Sequence, residues 1–117
     1  MGYSEGVLSL LEETAQLAEK FQNSDIYLDY CRSKELLKND TTMLDRLKEY
    51  KKIQHELEIK RLQEGTISFD EEKRLAHLYS ELSLHPIAGS FLAAEHELLQ
   101  LYRKALDSLS EACDMEF

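Results

Sequence analysis

Residues 86–112 read PIAGSFLAAEHELLQLYRKALDSLSEA, and this stretch decides the fold. It opens on a proline, which suits the first turn of a helix because that position needs no amide donor. Two seven-residue seams then run side by side. Phe91, Leu98, Ala105 and Ala112 form the first with Ala94 and Leu101; Leu92, Leu99, Leu106 and Cys113 form the second with Tyr102 and Leu109. Adjacent seams lie about 100° apart, so the apolar face is wider than one helix contact requires. One seam can serve the chain's own bundle and the other a partner.

The same three- and four-residue spacing recurs upstream, while β-branched runs and period-two alternation are missing, which predicts an all-α fold of about five helices. Upstream of Pro86, His85 precedes the proline and therefore avoids the α region, ending a helix of about Phe69 to Leu84 that buries Leu75, Leu78, Tyr79 and Leu82. Ser68-Phe69-Asp70-Glu71 has the form of a capping box for that helix, and Gly65 supplies the left-handed residue that stops the one before. The short link Gly65-Thr66-Ile67 predicts an antiparallel helical hairpin.

The helix ending there runs from a cap at Asp40 to about Glu64, with Met43, Leu47, Tyr50, Ile53 and Leu57 as its stripe. At 1.5 Å per residue it is roughly 36 Å long, more than a small core needs, so it is expected to project or pair. Before it, a helix of about Asp25 to Lys38 presents Tyr27, Tyr30, Cys31 and Leu37. A first helix of about Ser4 to Gln22 carries Val7, Leu8, Leu11, Ala15, Ala18 and Phe21 on one face. A faint echo at an offset of 45 pairs Leu37 with Leu82, Asp40 with His85, Leu47 with Leu92 and Ile53 with Leu98. Duplication and coincidence of apolar periodicity explain it equally well.

Residues 1–117 make one domain, and size scaling predicts burial of roughly 65% of the unfolded surface. Twenty-three acidic and fourteen basic side chains give a formal charge of −9, which disfavours direct nucleic-acid binding. No run reaches the roughly 18 apolar residues of a membrane span, and Met1-Gly2-Tyr3-Ser4-Glu5 has none of the zones of a signal peptide, so no membrane insertion and a cytoplasmic location are expected. Cys31 and Cys113 form no CxxC and are read as reduced thiols in core or interface packing.

Chemistry-bearing motifs are few. His55, His77, His85 and His96 complete neither HExxH nor the Glu-x-x-His of di-iron bundles, and are read as solvated or half-buried. A metal or redox site built from scattered histidines or Cys113 of two chains is the alternative reading; no cofactor is expected. There is no GxSxG and no glycine-rich phosphate loop, so no enzyme is expected. Glu12-Glu13, Glu71-Glu72 and Glu95/Glu97 read as solvated faces or first-turn charges. Arg46, Lys48, Lys51 and Lys52 break the acidic background and continue to Lys60 and Arg61. They read as a solvated face, or as a docking stripe for an acidic protein or RNA.

Taken together, Asp25-Ile26-Tyr27-Leu28-Asp29-Tyr30, the Asn39-Asp40 break, the hairpin from Gly65 to Glu72 and Leu84-His85-Pro86-Ile87 resemble the YlbF/YmcA family, with its YheA relatives, of small helical proteins from Gram-positive bacteria. Thr41 stands where the family often has proline, and His85 where asparagine commonly precedes the proline; each alters a cap, at about 1 kcal/mol or less. The resemblance implies a non-enzymatic cytoplasmic regulator acting through protein contacts. Better-known branches form a complex with a further subunit, influence competence, biofilm formation and sporulation, and tune RNA processing by endoribonuclease Y, so family paralogues and an endoribonuclease complex are implied partners. Some of those complexes hold iron–sulfur clusters; with only Cys31 and Cys113, none is expected here. The leading expectation is an all-α homodimer or larger oligomer in which Phe91, Leu98, Leu99, Tyr102 and Leu106 carry packing or self-association, with Tyr50 and Leu57 opposite.

Overall fold

A computed structural model describes residues 2–113, which form five helices: α1 (Glu5–Gln22), α2 (Asp25–Lys38), α3 (Thr41–Glu64), α4 (Phe69–Leu84) and α5 (Pro86–Ala112). The fold is all-α, with no strand among the described residues.

Local chemistry sets each boundary. Ser4, Ser24, Asp40 and Ser68 accept from the amides of Val7, Tyr27, Met43 and Glu71, giving each helix start an acceptor for an otherwise unpaired donor. Gly65 adopts φ +84°, and its amide donates to the Arg61 carbonyl to end α3. At the α4–α5 corner His85 has extended backbone, and its Nδ1 accepts from Ile87 at 3.2 Å and Ala88 at 3.4 Å. The histidine thus performs the capping task at its position.

The core gathers Leu37 from α2, Leu47 and Tyr50 from α3, Leu82 from α4, and Ala88, Phe91 and Leu92 from α5. The closest helix pair is α2 with α5. Its buried residues include the small Ser33, Ala88 and Ala94, which let the two axes approach, and Tyr30 stacks obliquely on Phe91 with ring centres 5.5 Å apart. The residue pairs at offset 45 share burial class or capping role. Leu37 and Leu82 are buried equally, Asp40 and His85 both cap long helices, Leu47 and Leu92 are both buried, and Ile53 and Leu98 are both half-buried.

The hairpin of α3 and α4 is clamped by charge. Lys60 donates to Glu71 at 2.9 Å, and Glu71 also accepts from the Ser68 amide, closing the capping box. The lysine, followed by the Ser68 donors, holds the Glu71 carboxyl down to about 2 from the usual 4.5. A depressed folded-state pKa contributes stability that is present above about 4.5 and lost as pH falls through about 2. Glu71→Gln keeps the box and removes the charge. Wild type should therefore melt above this variant at neutral pH, and the two should converge as the pH is lowered to about 2 in thermal melts followed by circular dichroism. A gap that persists at that pH would assign the effect to shape alone.

Two features depart from a compact globule. The radius of gyration is 18.6 Å, against about 13 Å for a compact chain of this length. The accessible surface of 9419 Å² exceeds by roughly 2,900 Å² what a monomer of this mass normally shows, so about half of the unfolded surface is buried and not the 65% expected from length. The cause is visible in the elements. No residue of α1 is buried, and α1 packs closely only on α2, where the chain turns. Buried residues of α5 end at Ala94, leaving the C-terminal half of the helix standing clear of the core. Of the two outcomes its length allows, α3 pairs, with α4; α1 and the far half of α5 do the projecting.

Candidate functional site

The two projecting elements face one another across a groove of about 530 Å³. Leu17, Ala18 and Phe21 line it from α1, Tyr27 from the start of α2, and Leu98, Leu99 and Tyr102 from α5. Thr14 also reaches it, with its hydroxyl turned back to donate to the Leu10 carbonyl at 2.8 Å. The groove is therefore apolar on both walls. The Cys31 thiol, one turn along from Tyr27, is the main cause that raises the Tyr27 phenol pKa above its ordinary value.

Helix α5 divides as its two seams suggest. Phe91 and Ala94 of the first are buried, with Leu98, Leu101 and Ala105 half-buried. Beyond Leu92 the second faces outward: Leu99 is 56%, Tyr102 58%, Leu106 44% and Leu109 59% exposed. Four large side chains at this spacing form a continuous apolar stripe beside a half-buried seam on the same helix.

Residue by residue, the expected interface is sorted by burial. Leu99, Tyr102 and Leu106 lie on the free stripe, and Leu98 and Leu57 are half-buried. Phe91 and Tyr50 are corrected: at 5% and 7% exposure they belong to the chain's own core and present nothing to a partner. Burial, with Tyr79 and Glu95 as secondary causes, raises the Tyr50 phenol pKa above its usual value, and its ring stacks at 5.8 Å on Tyr79. Sequence reading missed Leu17, although Leu10, Thr14, Leu17 and Phe21 recur at steps of four, three and four; the intervening threonine masked the stripe.

Arg46, Lys48, Lys51 and Lys52, the expected stripe, divide into paired and unpaired cations. Arg46 pairs with Glu81 of α4 at 2.7 Å, and Lys51 pairs with Glu95 of α5. Farther along, Lys60 and Arg61 meet Glu71 and Glu72. Four of the six cations are thus struts between helices, and only Lys48 and Lys52 make no ion pair among the described residues. The acidic pairs read as solvated faces supply three of the strut partners, Glu71, Glu72 and Glu95.

Histidines and cysteines are dispersed. His55, His77 and His96 are exposed, with His77 against Glu81 at 3.1 Å and His96 against Gln100 at 3.1 Å, while His85 is the half-buried cap of α5. Cys31 and Cys113 are both exposed free thiols, so neither is packed in the core of a single chain. No three His, Cys, Asp or Glu side chains converge among the described residues.

A family model described as control of competence regulator ComK, YlbF/YmcA, matches residues 10–113. The chain belongs to the YlbF/YmcA family. That match runs from the middle of α1 to the end of α5, so it takes in both walls of the groove. Among relatives, a UPF0342 protein of Desulfitobacterium hafniense (strain Y51) is 31% identical over 105 residues, covering 90% of this chain and 85% of its own. A UPF0342 protein of Caldicellulosiruptor saccharolyticus is 28% identical over 101 residues, covering 86% and 84%. No solved structure matches. The family is thus a regulatory one by its description, and among the described residues no helix is long and apolar enough to cross a membrane.

Proposed function

We propose that this YlbF/YmcA-family protein is a non-enzymatic cytoplasmic adaptor in the control of competence, and that it works by holding other protein chains against the α1–α5 face. The observation that carries this reading is the outward stripe of Leu99, Tyr102, Leu106 and Leu109 above an apolar groove. Side chains of this kind bind through contact area, and a contiguous exposed patch of them marks a protein contact site. The family description supplies the pathway, control of the competence regulator ComK. Roles in biofilm formation, sporulation and RNA processing by endoribonuclease Y extend the same reading.

Deleting the gene in the native cells should change the amount of ComK, or of the transcripts it activates. Complementation with wild type should restore it. The Leu99→Lys/Leu106→Lys variant should stay at the deletion level although it accumulates normally. Full rescue by that variant would separate the regulatory role from the α1–α5 face, and an unchanged ComK level on deletion would remove the competence assignment.

A further inference from the structure

We infer that His85 makes the α4–α5 corner sensitive to pH: the neutral ring caps α5, and a proton taken up on Nδ1 releases the first turn of that helix. The corner aims α5, so the device acts on the element that carries the outward stripe, whichever chain covers it.

Geometry fixes which form of the ring does the capping. Nδ1 accepts from the amides of Ile87 at 3.2 Å and Ala88 at 3.4 Å, so it must offer a lone pair, and the single ring proton sits on Nε2. A second proton turns Nδ1 into a donor aimed at two other donors. Both bonds are then lost. Ala88 is 0% exposed, so its amide gives up an acceptor in a place where water is a poor substitute.

Position makes the loss matter. His85 is the residue on which α4 ends and α5 begins: its amide donates to the Leu82 carbonyl at 3.2 Å, and its carbonyl accepts from the Gly89 amide at 2.7 Å. Those backbone bonds do not titrate, so the imidazole alone ties the start of α5 to the proton concentration. Asp40, its counterpart at the head of α3, serves the Met43 amide with a carboxylate at 3.2 Å. A carboxylate ordinarily keeps its charge between about pH 5 and 8, whereas an imidazole changes its own within that interval. Of the two long helices, mild acid therefore unties only α5.

The charges around the ring offset one another. His85 stands at a cleft of about 200 Å³ to which α3 presents Met43 and Arg46, and α4 presents Glu81 and Leu82. Arg46 holds one oxygen of Glu81 at 2.7 Å and His77 lies against the other at 3.1 Å, so that carboxylate is already served. The first turn of α5, Pro86 to Gly89, carries no charged side chain. Helix dipoles also oppose here, because the C-terminus of α4 favours an imidazolium and the N-terminus of α5 disfavours it. The two hydrogen bonds decide the balance in favour of the neutral ring. Unfolding in mild acid then takes up a proton, so stability falls as the pH falls.

Urea denaturation of wild type, His85→Asn and His85→Ala, at about pH 7.5 and about pH 5, separates the charge of the ring from its shape. Asparagine caps at both values, so relative to it the unfolding equilibrium constant of wild type should rise about fivefold on acidification, the worth of a typical cap. His85→Ala, uncapped throughout, should unfold more readily than wild type at the higher pH and converge with it at the lower. His55, His77 and His96 are common to all three proteins and cancel. Amide NMR spectra give the local readout: the Ile87 and Ala88 resonances should follow the titration of the His85 ring, while that of Tyr27, capped by Ser24, holds still. A gap between wild type and His85→Asn that does not change with pH overturns the inference, as do Ile87 and Ala88 amides that ignore the His85 titration. A gap that changes in the opposite sense overturns it too, and would show the ring held as a cation beside Glu81.

Discussion

Truncating Leu37 to alanine should destabilise the protein by about 2–5 kcal/mol, the range for deleting a fully enclosed leucine side chain from a core that only partly closes over the gap. Leu37 is 2% exposed and sits where α2 meets residues of α3, α4 and α5, so its loss opens a cavity touching four of the five helices. The consequence is large because the core is small. Against a total stability of about 5–15 kcal/mol, this is a substantial fraction, and it should lower the melting temperature by more than about 10 °C. Leu62, 87% exposed at the far end of α3, is the control, and Leu62→Ala should fall within about 0.5 kcal/mol of wild type. Leu82 occupies the position equivalent to Leu37 in the second half of the chain and shares its cluster, so Leu82→Ala should match it and the double variant should not be additive. Urea denaturation at one fixed protein concentration makes the comparison. A loss below about 1 kcal/mol for Leu37→Ala would mean that this cluster is not what holds the helices together.

Equivalence of the two halves also shows what a linear sequence can and cannot disclose. Caps are local: the side-chain oxygen and the amide it serves lie within three residues, so Ser24, Asp40, Ser68 and Gly65 mark their helix ends without any knowledge of the rest of the chain. The apolar stripe of each helix is legible for the same reason. What covers a stripe is not. Val7, Leu8 and Leu11 have the periodicity of a core face, yet no element among the described residues buries them, because periodicity records that a face is apolar and not which molecule it meets. The seams of α5 show the same ambiguity. Phe91 and Leu98 share one, and only the folded arrangement reveals that the first is enclosed while the second is half-buried at the edge of the groove.

Charge is ambiguous in the sequence for a related reason. Arg46, Lys51, Lys60 and Arg61 look like a free basic face because their partners, Glu81, Glu95, Glu71 and Glu72, stand on other helices. Such struts are partly exposed and each is worth little, about 0–1 kcal/mol. They do fix register: three join α3 to α4 and one joins α3 to α5, so the bundle end that supports α5 is held while its far half remains clear.

Gly89→Ala should destabilise the protein by about 1–3 kcal/mol, against the sign that helix propensity alone predicts. Gly89 lies one turn into α5, where alanine is normally favoured by about 1 kcal/mol. A Cβ at this position would overlap the Ser83 carbonyl oxygen and stand 3.1 Å from the Ser83 carbonyl carbon, and both are backbone atoms that cannot swing away. Gly6, in the first turn of α1, has nothing within 4 Å, so Gly6→Ala should be neutral or stabilise by up to about 1 kcal/mol. Opposite signs from one substitution type in one protein isolate the contact from the propensity. The Gly89 contact has a further consequence, because α4 and α5 turn on a corner of only His85 and Pro86, and the close approach of Gly89 to Ser83 sets the direction in which α5 leaves the core. A methyl group there pries the corner open and tilts the far half of α5, moving Leu98, Leu99 and Tyr102 relative to α1. Gly89→Ala should therefore disturb the α1–α5 groove as well as folding, although it lies outside the groove, and hydrogen exchange of the α1 amides at matched folded fraction separates the two effects. A variant more stable than wild type would show that the corner yields at no cost, and the aim of α5 would then have to come from its packing on α2.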